Sequence, residues 1–320
     1  MYQNPDLAHW QGRIDGETPE YWRWHQAIKI RSLSDIGPAP PEKAVALLGF
    51  ACDEGVRRNQ GRTGASLGPV SLRNACRNLP WHFPDFVTVT DVGDIVCVGT
   101  QLEEAQSHLS AAIHQLQTNQ YFTVVMGGGH EVLYGHYKGL RQAFPDARIG
   151  IINFDAHFDL RAVEPSTGPT SGTGFWQIAQ EEPLYYLALG IQRNGNTAAL
   201  FEQARTLNVT VIQADDFHTD YREGIRKTIH TFMSTVDILY LTICLDVFAT
   251  AFAPGVSAPT AMGLHPDAML REVLRPIIYS SKLVSIDIAE LNPTYDQDDR
   301  TAKLAAHLIS DTIFAQTLNT

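Results

Sequence analysis

Apolar positions gather in eight short runs, at 44–50, 86–89, 122–126, 149–154, 184–189, 209–212, 238–245 and 283–288. Most are rich in Val and Ile and end at Gly, Asp or Asn. That is the pattern of parallel strands buried on both faces. Helical patterning occupies 102–116, 197–207, 221–234, 266–274 and 300–318 between them. The alternation predicts an α/β fold in three layers, α/β/α, with a mainly parallel central sheet of about eight strands. In such sheets ligands bind outside the carboxyl ends of the strands.

Three of those strand ends carry chemistry. The run at 122–126 is followed by Gly127, Gly128, Gly129, His130 and Glu131. The run at 149–154 is followed by Asp155, Ala156, His157, Phe158 and Asp159, and the run from 238 ends in Cys244, Leu245 and Asp246. In an extended stretch, side chains at i, i+2 and i+4 point the same way, so Asp155, His157 and Asp159 converge on one point. His and Asp are ligand types for divalent first-row metals, and three ligand-bearing strand ends predict one metal site. The glycine run at 127–129 lacks the Lys of a phosphate loop and the longer spacing of a dinucleotide site.

Composition narrows the remaining possibilities. A net charge of −11 lacks the basic face that sequence-independent nucleic-acid binding requires. No apolar run reaches the length of a membrane span, and the first residues do not read as a signal peptide. Four Cys without regular spacing suit a reducing, cytoplasmic setting. No linker or repeat divides the chain, so residues 41–320 read as one domain. Residues 1–40 differ, with Trp10, Tyr21, Trp22 and Trp24 among polar residues, then Pro38, Pro40 and Pro41. They read as an extension packed on the domain or on a neighbouring subunit, or as a partly ordered tail.

The chain resembles the ureohydrolase family of arginases, agmatinases and formimidoylglutamases. The resemblance runs from about Gly49 to Pro293. It includes Gly61-Arg62-Thr63-Gly64-Ala65-Ser66-Leu67-Gly68-Pro69 with Arg73, the segments around His130 and Asp155, Ser171-Gly172-Thr173, Thr242 to Pro259, and Ser285 to Pro293. Gly129 and Glu131 flank His130 where most ureohydrolases have Asp and Ser. With Asp53 to Arg62 and His157 to Arg161, these flanks look most like the formimidoylglutamase branch. The resemblance implies a three-layer arginase-like fold, two Mn²⁺ ions, and a homo-oligomer. It implies hydrolysis of N-formimidoyl-L-glutamate to L-glutamate and formamide, in histidine degradation.

The resemblance also implies roles. His130 and Asp159 belong to one metal, His157 and Asp246 to the other, and Asp155 bridges them, with a bridging hydroxide as nucleophile. Asp159 is the proton carrier to the departing nitrogen, and Glu290 pairs with the formimidoyl cation. Arg161, where arginases carry an Asn, is expected to grip a substrate carboxylate through its planar fork of donors, with Arg57 and Arg58 as candidates for a second carboxylate.

Two departures qualify the match. Gly174, Phe175 and Trp176 stand where arginases have a proton-shuttling His, which disfavours arginase. Cys244 stands where the family's third motif has a bridging Asp. It could be an unusual ligand, a replacement that weakens one metal, or a mark of lost activity. Besides formimidoylglutamase, the sequence therefore allows another ureohydrolase, for guanidino acids or agmatine, or a non-catalytic ligand-binding member of the fold. Cys52 also follows a strand, and Cys52 with Cys244 forms a candidate redox pair.

Overall fold

A computed structural model of the chain describes residues 1–40 and 43–318. Pro41 and the first and last residues of the expected 41–320 domain lie outside the described residues. Each of the eight apolar runs forms a strand: β1 (Lys43–Ala51), β2 (Val87–Val96), β3 (Phe122–Met126), β4 (Ile149–Phe154), β5 (Tyr185–Ile191), β6 (Thr210–Gln213), β7 (Ile238–Cys244) and β8 (Leu283–Ala289). They pair side by side in the order β2-β1-β3-β8-β7-β4-β5-β6, all parallel. The order reverses direction twice at the centre, so β3, β8, β7 and β4 stand together although distant in sequence. Crevices form where strand order switches in this way.

The helices are α1 (Glu54–Arg58), α2 (Gly68–Cys76), α3 (Leu102–Thr118), α4 (Val132–Ala143), α5 (Gly174–Glu181), α6 (Ala198–Thr206), α7 (Arg222–Ser234), α8 (Ala268–Ile278) and α9 (Arg300–Thr317). Two apolar cores sandwich the sheet. One face packs Leu72, Ile229, Val273 and Ile309 from α2, α7, α8 and α9. The other packs Leu109, Tyr137, Ile178 and Ala204 from α3, α4, α5 and α6. Strand residues alternate between the cores, Leu47 to the first and Leu48 to the second. This is the period-2 alternation of a doubly covered sheet.

The pattern along the sequence did not reveal α1, α2, α4 or α5. α2 and α4 directly follow motif loops, and their glycines and polar residues obscure the helical period. α8 runs past Pro276 to Ile278, beyond the expected end at 274.

The extension of residues 1–40 packs on the domain edge. Tyr2–Gln3 pairs antiparallel with β2, and Lys29–Ile30 pairs parallel with it. Trp24 is fully buried and meets Trp81 and Phe83 edge-on, with ring centroids 6.0 and 5.4 Å away. Trp10 donates its indole N–H to the buried Asp91 carboxylate at 2.7 Å. Aromatic burial and one satisfied polar handle anchor the segment.

Candidate metal centre

The carboxyl ends of β3, β4, β7 and β8 deliver the predicted residues to one cavity of about 320 Å³. Its lining includes His130, His157, Asp159, Cys244, Asp246 and Glu290. Asp155 sits beneath them, fully buried, between the two histidines. Its Oδ2 lies 3.0 Å from His130 Nδ1 and its Oδ1 3.6 Å from His157 Nδ1. His130 Nδ1 is also 2.8 Å from Asp159 Oδ2, and His157 Nδ1 is 3.1 Å from Asp246 Oδ2. The result is two His–Asp clusters that share one carboxylate. Cys244 joins the first: its Sγ, a His130 nitrogen and an Asp155 oxygen lie within 4.8 Å of one another.

Backbone strain accompanies this convergence. Asp159 and Glu290 are non-glycine residues with positive φ, 48° and 70°. Such conformations persist only where surrounding structure enforces them, and they concentrate at functional sites.

The electrostatics fit metal cations. Asp155, Asp159 and Asp246 gather around the two imidazoles, and Glu290 lines the same cavity. Burial opposes charging of His157, but Asp246 and Asp155 outweigh it and push its pKa up to about 12. Burial opposes ionisation of Asp155, but the His130 and His157 rings beside it hold its carboxyl below the usual range. Burial raises Asp159 and Asp246, and the charge of Asp155 adds to it. Buried His130 Nδ1 approaches two carboxylate oxygens yet forms no hydrogen bond of acceptable geometry. An imidazole nitrogen facing two carboxylates inside the protein is a donor set that divalent cations satisfy, and oxygen with imidazole suits Mn²⁺. Burial keeps the Cys244 thiol well above its ordinary pKa, with Asp155 adding to the effect.

Glu290 Oε1 accepts the backbone N–H of His130 at 2.8 Å, and its buried Oε2 has no hydrogen-bond partner among the described residues. Burial pushes its pKa up to about 7. Glu131 is likewise fully buried, and burial followed by the charge of Glu290 pushes it up to about 8. Its side chain occupies a slot made by two glycines. A Cβ at Gly129 would lie 2.1 Å from Glu131 Oε2, and one at Gly55 2.6 Å from Glu131 Cδ. The unusual flanks of His130 are therefore one coupled feature: the carboxylate at 131 fills space that a side chain at 129 would need.

The arginine candidates divide. Arg57 is half-exposed and paired with Glu54 at 2.6 Å. Arg58 is held by Glu54 at 3.0 Å and by Glu103 at 2.6 Å, and it lines only the neighbouring cavity. Neither lines the metal cavity, because acidic residues on α1 and α3 already neutralise them. Arg161 is exposed, lines both cavities and has no acidic partner among the described residues. Arg62 also lines the metal cavity, stacked 4.0 Å from the Tyr295 ring centroid and donating to the carbonyls of Ser257 and Val256. Sequence reasoning gave it no role, although it stands inside one of the family-like blocks. Asn59, Ser171 and Asn196 complete the polar wall and also escaped the sequence reading.

The candidate redox pair is separated by environment. All four cysteines are free. Cys244 belongs to the His130 cluster, whereas the Cys52 thiol donates to Glu131 at 3.4 Å and does not line the cavity. The thiol nearest Cys52 in sheet register is Cys97, whose amide donates to the carbonyl of Ala51.

The profile of the arginase family matches residues 43–315. A formimidoylglutamase from Geobacillus kaustophilus (strain HTA426) is 46% identical over 309 residues, covering 96% of this chain and 95% of that protein. One from Legionella pneumophila (strain Paris) is 40% identical, covering 97% and 96%. Among solved structures, the formimidoylglutamase from Bacillus subtilis subsp. subtilis str. 168 superposes with a TM-score of 0.78 at 25% identity, covering 90% of this chain and 92% of that one. The N114H variant of Trypanosoma cruzi formiminoglutamase, crystallised with Mn2+2, shares the fold at TM-score 0.80 and 23% identity, covering 90% and 97%. The chain belongs to the arginase family.

Proposed function

We propose that this chain is a manganese-dependent formimidoylglutamase. It cleaves N-formimidoyl-L-glutamate with water to give L-glutamate and formamide, a step of histidine degradation. The observation that carries this reading is the pair of His–Asp clusters sharing Asp155, found in a chain 46% identical to a formimidoylglutamase over nearly its whole length. His130, Asp155 and Asp159 would hold one cation, with Cys244 beside them; His157, Asp155 and Asp246 would hold the other. Bound there, divalent cations supply the Lewis acidity that makes water nucleophilic near neutral pH.

The chain's own residues do the rest. The unpartnered Oε2 of Glu290 faces buried space beside the cluster and pairs with the formimidoyl cation, holding its carbon over the clusters. Water adds to that carbon, and the bond from carbon to the glutamate nitrogen breaks. Asp159 takes the proton released by water and passes it to the departing nitrogen, so the amine leaves neutral. Its strained backbone fixes the carboxylate between His130 and the cavity. Arg161, a guanidinium at the cavity mouth without an acidic partner among the described residues, grips a substrate carboxylate bidentately. Agmatine offers no carboxylate for that contact.

A substrate panel tests the reading. Formimidoylglutamate, agmatine and a guanidino acid are assayed with Mn²⁺, alongside metal analysis of the purified chain. Hydrolysis of formimidoylglutamate by protein with about two Mn²⁺ per chain is expected. Preference for either guanidine substrate would overturn the substrate, and absence of bound metal would overturn the centre. No helix among the described residues is long and apolar enough to cross a membrane. A cytoplasmic homo-oligomer completes the proposal, and sedimentation of the purified chain tests the assembly.

A further inference from the structure

Beneath His130 the core is polar where a doubly covered sheet is normally apolar. On the side of α4, the central strands present Thr123, Tyr240, Thr242, Ser285 and Asp287, and α4 adds His136; Thr123, Thr242, Ser285, Asp287 and His136 are all fully buried. Strand register makes Asp287 of β8 the neighbour of Thr242 of β7. The Thr242 hydroxyl donates to Asp287 Oδ1 at 2.6 Å. His136 Nδ1 donates to Asp287 Oδ2 at 2.9 Å, and the Tyr240 hydroxyl donates to the same oxygen. His130 Nε2 lies 3.0 Å from the Thr242 oxygen.

Hydrogen counting orients this chain. A hydroxyl carries one proton, and a carboxylate oxygen only accepts. Thr242 spends its proton on Asp287, so toward His130 it can only accept. His130 must then carry a proton on Nε2, so in the neutral ring that binds a cation the Nδ1 lone pair is the one directed at Asp155 and Asp159.

We propose that Thr242 and Asp287 form a relay that sets the tautomer and ring orientation of His130, making them positioning residues for one of the two metals. His136 and Tyr240 hold the Asp287 carboxylate in place from its other side. A histidine ligand whose remote N–H is engaged in this way is both fixed in orientation and more basic. The cost of burying so many polar groups is met by the bonds within the network. The inference rests on the two-metal reading of the centre.

Thr242→Val is nearly isosteric and removes the link, whereas Thr242→Ser keeps the hydroxyl. Mn²⁺ titration followed by electron paramagnetic resonance reads each metal site without reference to turnover. Thr242→Val should weaken one of the two sites by about tenfold or more and leave the other unchanged. Thr242→Ser should hold both. Wild-type affinity at both sites in a folded Thr242→Val protein would overturn the relay, as would an equal loss in Thr242→Ser. If Thr242→Val does not fold, ¹⁵N NMR of histidine-labelled wild-type protein loaded with diamagnetic Zn²⁺ decides. A proton on Nε2 of His130 supports the relay, and a proton on Nδ1 overturns it. A wild-type chain that binds no divalent ion overturns the metal centre and the relay together; two intact sites in Thr242→Val overturn the relay alone.

Discussion

The two faces of the central strands are built from different chemistry. Toward α2, α7, α8 and α9, strands β3, β8 and β7 present Val124, Met126, Leu239, Leu241, Ile243, Ile286 and Ile288. Toward α4 the same strands present Thr123, Tyr240, Thr242, Ser285 and Asp287, tied to His136 and through Thr242 to His130. Leu241 and Thr242 are consecutive yet serve opposite faces. The apolar face gains free energy from area removed from water, without directional demands. The polar face must satisfy every donor and acceptor, and it forms the link from Asp287 through Thr242 to His130 that the proposed relay uses. One sheet thus separates stability from site geometry by alternating residues.

The sharpest break in this comparison comes at the point where the two His–Asp clusters meet. Asp155→Ala should abolish both Mn²⁺ binding and activity, because the shared carboxylate serves both clusters. Atomic absorption on wild type and variant checks it, and equal metal content would remove Asp155 from the centre. The apolar side carries a buried ion pair, Arg73 on α2 with Asp91 and Asp94 at 2.7 Å each. Arg73→Ala would leave buried, uncompensated Asp91 and should cost about 3–5 kcal/mol of stability. Urea unfolding measures that loss, while Mn²⁺ affinity of the folded fraction should stay at the wild-type level.

Leu241→Ala tests the apolar face beneath the centre. A cavity there should cost about 2–5 kcal/mol, with both metal sites intact. Selective loss of one metal instead would mean that the two faces are not separable. At the cavity mouth, Arg161→Ala should lower kcat/KM for formimidoylglutamate by at least about tenfold, the loss of a charge-assisted bidentate contact. An unchanged value would take Arg161 out of substrate binding. Arg57→Ala should leave steady-state kinetics unchanged, since Arg57 is bound to Glu54 and largely in solvent. A marked rise in KM would restore Arg57 as a carboxylate ligand.

Much of this was legible along the chain. All eight strands announced themselves as short, mostly apolar runs, because burial on both faces favours apolar residues at successive positions. The ligand types at the ends of β3, β4 and β7 were equally visible, since they follow those runs directly. The arginines were not separable by sequence. Arg58 finds Glu103 across 45 positions, while Arg161 meets no acid among the described residues. Cys52 and Cys244 both follow strands, yet only Cys244 joins the His130 cluster. No local pattern marks His136, because its partners, Asp287 and Ser285, are about 150 positions away.

The sequence by itself determined the layered α/β architecture, the strand ends that carry His and Asp, and the family to which those blocks belong. Periodicity and strand-end chemistry are local properties, carried by residues within one or two turns of each other. The tertiary structure alone decided that the two oxygens of Asp155 face different histidines, that Glu131 fills the space beside Gly129, and that Asp287 is linked to His130 through a single hydroxyl. The first and last of those facts depend on the order in which β3, β8, β7 and β4 lie side by side. That order is fixed by packing between distant segments, and no local pattern encodes it.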